Sequence, residues 1–258
     1  MNMNTDRDNE ENLSSMTSAP QSEILLEKMN AKEQELNLLT DRGKEIIVSY
    51  GISSKIKLYV DMTIGLGGDK WPAAELFITF ITDNRWKAFF ENLFNDKRII
   101  ELGAGTGLGG MVIDKEFNPK EIIVSDIGDH VKHMKYNIQL NDLTRCKSIE
   151  LDWHSNNDNT TDAYDIIVAL ECVYKDELFE IFIKTMDALS NNDTVIFLGL
   201  TRNFQNGKQV FWEILKRYDF QYIMIPQDNL PFEYHNEMNC RDCSIFLLSK
   251  KKAIFKHV

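Results

Sequence analysis

The sequence has 258 residues, 43% hydrophobic and 27% charged, which fits one large α/β domain with flanking tails. Lys and Arg total 29 against 40 Asp and Glu, and the net charge of −11 argues against a protein that grips nucleic-acid phosphates. The longest apolar run, residues 166–170, is too short to span a membrane, and the polar first 20 residues lack the apolar core of a secretion signal. We therefore expect a cytoplasmic protein, and a basic protein partner stays open.

The first part of the chain is predicted to divide into a tail and an extension. Residues 1–21 carry too few apolar side chains to offset chain entropy, so this acidic tail is expected to be disordered. Residues 22–95 are predicted to form an N-terminal extension, and residues 96–258 the core domain. The elements expected in the extension are an amphipathic helix (22–44), a β-hairpin (strands 44–50 and 55–63), a Gly-rich loop (65–72) and a helix (73–81).

The core alternates apolar strands with amphipathic helices, which predicts a doubly wound α/β sheet of the Rossmann-like type. Its strands are continuous apolar runs, as expected where helices cover both faces of a parallel sheet. The last two strands have no helix between them, so they should form an antiparallel hairpin at the sheet edge. The predicted strands are 98–102, 121–125, 147–151, 165–170, 194–200, 220–225 and 244–249, and the helices are 108–117, 130–140, 177–189 and 208–218.

The strongest local signal is a glycine-rich turn between the first core strand and its helix. The sequence Glu101-Leu102-Gly103-Ala104-Gly105-Thr106-Gly107 leads into the helix, where free backbone N–H groups can meet a ligand. Asp126 ends the next strand, and a carboxylate there can bind both ribose hydroxyls of a nucleoside. This arrangement serves two cofactor classes, the nicotinamide dinucleotides and S-adenosylmethionine.

Two tryptophans extend this candidate pocket. Asp152 and Trp153 follow the third core strand, where an indole can cover an adenine ring and a carboxylate can accept from its exocyclic amine. Trp71 follows the Gly-rich loop. For both tryptophans, plain core packing is the competing interpretation.

The four cysteines give no sign of a metal centre. Cys146, Cys172, Cys240 and Cys243 are expected to be reduced thiols. Cys240-x-x-Cys243 stands without a second pair or a His pair at short spacing, so we predict no metal site there.

Four segments, taken together, resemble the lysine methyltransferases of the methyltransferase 16 group. They are Gly67-Gly68-Asp69-Lys70-Trp71-Pro72-Ala73-Ala74, the glycine-rich turn, Leu151-Asp152-Trp153 and Ala169-Leu170-Glu171-Cys172-Val173-Tyr174. The resemblance implies catalytic roles for Glu171 and Tyr174, although many members carry Asp at the position of Glu171. It implies S-adenosylmethionine contacts at Trp71, Gly103, Ala104, Gly105, Asp126, Trp153 and Ala169.

The resemblance also implies a target. Members of this group act on non-histone proteins, and the motifs are most similar to those of enzymes that methylate translation elongation factors. We expect a monomer that methylates elongation factor 1-alpha, with a chaperone as the alternative substrate. Two alternative functions outside the methyltransferases stay open: an NAD-dependent oxidoreductase and a catalytically silent binding module.

Overall fold

The computed structural model describes residues 43–51, 54–155, 162–201, 209–231 and 243–250. All of them belong to one compact unit, Arg42–Val258. The acidic tail, residues 22–42 of the expected helix, and Cys240 lie outside the described residues. The expected end of that helix at Lys44 is wrong, since Lys44 begins a strand.

The predicted N-terminal hairpin is confirmed. Strands β1 (Lys44–Tyr50) and β2 (Ser54–Val60) pair antiparallel, with Lys44 opposite Val60. Strand β2 ends three residues earlier than expected. The reason is Asp61, whose Oδ1 accepts a hydrogen bond from the Thr63 backbone N–H at 2.9 Å and so caps a short 3-10 turn.

Two helices precede the core sheet. Helix α1 (Pro72–Ile81) starts with proline at its first position, as predicted, and buries Phe77. Helix α2 (Lys87–Phe94) was not expected from the sequence. It buries only two residues, Phe90 and Phe94, and so carries no extended apolar stripe that would reveal its period.

The core is a seven-stranded sheet, as predicted, with the order β5-β4-β3-β6-β7-β9-β8. Strands β3 to β7 run parallel, and β9 lies antiparallel between β7 and β8, which confirms the terminal hairpin. The strand bounds are β3 Arg98–Leu102, β4 Glu121–Asp126, β5 Cys146–Glu150, β6 Ile166–Leu170, β7 Val195–Thr201, β8 Gln221–Met224 and β9 Cys243–Ser249.

Helices cover both faces of this sheet. They are α3 (Leu108–Glu116), α4 (Asp129–Leu140), α5 (Phe179–Ala188) and α6 (Gln209–Arg217). One apolar layer joins the sheet to α1, α2, α3 and α4, and the other joins it to α5 and α6. The carboxyl ends of β3, β4 and β6 therefore open at one edge, where ligands of such sheets bind.

Side chains of α4 and of its C-cap residue, Asn141, bind the hairpin to the core through hydrogen bonds. Asn141 Oδ1 accepts from the Lys57 N–H at 2.9 Å, and its Nδ2 donates to the Lys57 carbonyl at 2.7 Å. Asn137 binds the N–H and carbonyl of Tyr59 in the same way, at 2.7 and 3.2 Å. His133 Nε2 lies 2.6 Å from that same carbonyl. The three side chains are four residues apart and therefore share one helix face. They bind backbone N–H and carbonyl groups of β2, as a neighbouring strand would.

Candidate cofactor-binding and active site

The glycine turn, Gly103–Gly107, is shaped by positions that only glycine fits. Gly103, Gly105 and Gly107 have φ values of 58°, 54° and 79°, in the left-handed region. A β-carbon on Gly103 would lie 2.4 Å from the Cys172 β-carbon. The Ala104 N–H donates to the Ser125 carbonyl at 2.9 Å, which fixes the turn against β4. The turn thus presents bare backbone to the space above the sheet.

Asp126 ties the turn to the end of β4. Its Oδ2 accepts from the Gly105 N–H at 2.8 Å, and its Oδ1 accepts from the Ile127 N–H at 2.8 Å. Both carboxylate oxygens keep further lone pairs, so the group can still accept hydrogen bonds from a ligand's hydroxyls.

Glu101, just before the turn, is a buried acid. It is 3% exposed, and its Oε2 accepts from the Gly110 N–H at 2.6 Å. Burial raises the pKa of this carboxyl to about 8; the charge of Asp126 acts in the same direction, and the Gly110 hydrogen bond opposes both. Glu101 therefore anchors the first turn of α3 to the floor of the site.

A cavity of about 480 Å³ lies above the glycine turn. Its size is within the range of pockets that take drug-sized ligands. Nine of the ten residues singled out from the sequence line this one cavity: Trp71, Gly103, Ala104, Gly105, Asp126, Asp152, Trp153, Glu171 and Tyr174.

Ala169 is the exception. It is fully buried in β6, where it belongs to the apolar layer of α5 and α6, and the next residue, Leu170, lines the cavity. Successive side chains of a strand point to opposite faces, so only one of these two neighbours reaches the α1 side. Leu170 thus lines the cavity with its side chain, and the expected contact between the Ala169 backbone and the cofactor stays a prediction.

The two tryptophans stand on different walls of the cavity. Trp153 packs on Phe182 of α5 with ring centroids 5.0 Å apart. One part of its indole therefore packs against the core, and another part lines the cavity. Trp71 donates from Nε1 to the Leu66 carbonyl at 2.9 Å and is 37% exposed. Asp152 Oδ1 accepts from the His154 N–H at 2.9 Å, which leaves its other oxygen outside this bond.

Glu171 sits at the mouth in a strained conformation. Its φ of 54° is in the left-handed region, and its N–H donates to the Gly199 carbonyl at 2.9 Å. Its Oε2 accepts from the Ala73 N–H at 2.7 Å and so caps α1. Burial raises the pKa of this carboxyl above its ordinary value, and the Ala73 hydrogen bond partly opposes that shift. Tyr174 stands nearby, 55% exposed.

Other lining residues had no assigned contact in the sequence analysis, although Glu101, Thr106 and Cys172 stand within the motifs quoted there. They include Glu101, Thr106, Ile127, His130 and Cys172. Ile127 is 52% exposed directly after Asp126, a position where an apolar side chain can cover a ligand's ring. The position of Ile127 directly after Asp126 could have indicated from the sequence that it lines the cavity. No feature of the sequence indicated the same for His130.

Comparison with known proteins places this geometry in a family. The family model described as "Lysine methyltransferase" matches residues 52–218, more than half of the chain. The chain belongs to this lysine methyltransferase family. The resemblance inferred from the four sequence motifs is confirmed.

Three curated relatives illustrate the family's range. The calmodulin-lysine N-methyltransferase of Arabidopsis thaliana is 32% identical over 46% of this chain and 40% of its own length. The protein-lysine N-methyltransferase EFM6 of Saccharomyces cerevisiae is 27% identical over 71% of this chain and 86% of its own. The EEF1A lysine methyltransferase 3 of Xenopus tropicalis is 26% identical over 65% and 73%.

The fold also matches a solved methyltransferase. A T. thermophilus 16S rRNA methyltransferase in complex with AdoMet and guanosine covers 81% of this chain with a TM-score of 0.58, and the aligned part is 51% of that protein. At 13% identity this likeness shows the fold alone. The prediction of a Rossmann-like methyltransferase sheet is confirmed.

The cofactor of this lysine methyltransferase is S-adenosylmethionine, and the residues present fit it. The bare glycine turn leaves room for a ligand against the backbone, Asp126 offers acceptors for ribose hydroxyls, and Ile127 and Trp153 offer apolar faces. When bound, the cofactor supplies an electrophilic methyl group.

Metal clusters and membrane-spanning helices are both absent from the described residues. The described residues hold no cluster of three or more His, Cys, Asp or Glu side chains that could bind a metal ion. Across the same part of the chain, no helix is both long and apolar enough to cross a membrane.

Proposed function

We propose that this lysine methyltransferase methylates a lysine side chain of translation elongation factor 1-alpha. The observation that carries the catalytic part is the position of Glu171 and Tyr174 on the wall of the cavity that holds the glycine turn. A lysine reaching this mouth meets a carboxylate and a phenol beside the place of the methyl donor.

The chemistry requires a neutral amine, whereas a free lysine has a pKa near 10.4. A partly buried mouth disfavours the ammonium form, and an acceptor can orient the N–H bonds so that the nitrogen lone pair faces the methyl group. Glu171 is suited to orienting the amine because its Ala73 and Gly199 hydrogen bonds fix its position. Tyr174 would form a wall with a polar tip.

The choice of elongation factor 1-alpha is supported by likeness and by charge. One relative is named as an EEF1A lysine methyltransferase, and it aligns over 65% of this chain. The net charge of −11 favours a basic partner in the encounter. A relative named for calmodulin shows that the family includes enzymes with other targets. Action on this factor would place the enzyme in the cytoplasm, and we propose that it acts as a monomer.

The test is a cell that lacks this protein. Peptide mass spectrometry of elongation factor 1-alpha should show one lysine that loses its methyl groups, and the wild-type chain should restore them. The Glu171→Ala variant should fail to restore them. Glu177→Ala, which removes an exposed carboxyl three residues beyond Tyr174, is the matched control and should succeed.

Different outcomes separate the substrate from the activity. If every methyl-lysine of that factor persists in the deletion, the substrate is another protein. Purified enzyme with labelled cofactor and lysate from the deleted cell would then identify it by the labelled band. If no protein is labelled, the silent binding module is the better description.

A further inference from the structure

The Gly-rich loop and the glycine turn touch each other at Gly67 and Gly105. A β-carbon on Gly105 would lie 2.7 Å from the Gly67 carbonyl oxygen. A β-carbon on Gly67 would lie 3.2 Å from Gly105 Cα and 2.9 Å from Cε1 of His130. The side of Gly67 on which a β-carbon would stand is thus closely packed against both the ring of His130 and the cofactor turn.

The loop is closed by hydrogen bonds between its own residues. The Asp61 N–H donates to the Gly68 carbonyl at 2.8 Å and closes the loop at its base. Trp71 donates from its indole to the Leu66 carbonyl at 2.9 Å, one residue before Gly67. A displacement of Gly67 therefore carries Trp71, which lines the cavity, along with it.

The helix that carries His130 is itself fixed to the base of the loop. It stands in the first turn of α4, the helix whose polar side chains hold β2. His133, one turn further, is fully buried, and burial lowers its pKa, so its ring is neutral. Since the Tyr59 carbonyl can only accept, Nε2 of His133 is the donor in their 2.6 Å bond. The base of the loop and the helix that carries His130 are thereby fixed to each other.

The contact of His130 with the loop is one of shape. Its Nδ1 is buried and has no hydrogen-bond partner among the described residues. Both Nδ1 and Cε1 face the position of Gly67, at 3.0 and 2.9 Å from a β-carbon built there. The ring also lines the cofactor cavity. A flat ring at this place supports the loop without needing a polar bond to it.

We propose that His130 is a positioning residue for cofactor binding, whose ring packs against Gly67 beside Gly105 and thereby sets Trp71 on the cavity wall. It acts through the loop rather than on the reacting atoms. The proposal concerns affinity for S-adenosylmethionine and does not depend on which protein is the substrate.

The experiment is calorimetric titration of the full chain with S-adenosylmethionine. His130→Ala removes the ring and should raise the Kd about tenfold. His130→Phe keeps a flat ring without the nitrogens and should restore the Kd to within about threefold of wild type. Lys135→Ala, an exposed position on the same helix, is the matched control and should leave the Kd unchanged. The Tm of each free variant separates a local effect from loss of fold.

Three results would overturn the proposal. One is a wild-type Kd for His130→Ala, and another is a Kd for His130→Phe as weak as that of His130→Ala. The third result comes from a second variant, Gly67→Ala, which is used if His130→Ala does not fold. Gly67→Ala, whose β-carbon would lie 2.9 Å from the His130 ring and so push the loop away from it, should then raise the Kd about tenfold, and a wild-type Kd for it would refute the role of this contact.

Discussion

Glu101→Gln should change how the stability of this protein depends on pH. In the folded state the carboxyl is almost fully buried and its pKa is raised to about 8, while in the unfolded chain it returns to its ordinary value near 4.5. A group with a raised folded-state pKa contributes stability that is complete below the unfolded value and is lost as pH rises through the folded value. The wild-type protein should therefore lose this contribution between about pH 4.5 and pH 8.

The size of the effect follows from the two pKa values. One pKa unit corresponds to about 1.4 kcal/mol, and the loss between pH 6 and pH 8.5 comes to about 2–3 kcal/mol of unfolding free energy. Glutamine keeps an oxygen that can accept from the Gly110 N–H, and it cannot ionise. The variant should thus lack this part of the pH dependence.

Urea unfolding followed by circular dichroism gives the required free energies. The quantity to compare is the difference in unfolding free energy between wild type and variant at pH 6 and at pH 8.5, because titrating groups that do not interact with Glu101 cancel in it. Glu91→Gln, on an exposed position of α2, controls for the loss of one negative charge. A wild-type-minus-variant difference that stays constant over this pH range would refute the account of Glu101 as a neutral buried acid.

Two further variants test the cofactor and substrate walls of the cavity. Asp126→Ala should weaken S-adenosylmethionine binding by about 10- to 150-fold, since charge-assisted hydrogen bonds contribute about 1.5–3 kcal/mol. Calorimetry will check this, and unchanged affinity would remove Asp126 from the site. Glu171→Gln keeps an acceptor for the Ala73 N–H but loses the charge, so cofactor Kd should hold within about twofold while kcat falls at least about tenfold. Single-turnover rates equal to wild type would rule out an orienting role for Glu171.

Much of the site could be predicted because its signals are local in sequence. The glycine turn and Asp126 lie within 24 residues of one another, from Gly103 to Asp126, and their strand-turn-helix-strand context is readable from apolar runs alone. What was missed depends on packing between distant segments. His130 gains its place only when the loop folds over α4, and the place of Leu170 in the cavity lining depends on which face of β6 meets α1.

The amide side chains of α4 also have a consequence for solubility. An exposed strand edge is a template on which a second chain can pair and begin to aggregate. Along β2 the outward N–H and carbonyl groups of Lys57 and Tyr59 are already occupied by Asn141 and Asn137. The β2 edge of the hairpin is therefore less able to pair with a strand of another molecule, although no further strand of this chain covers it.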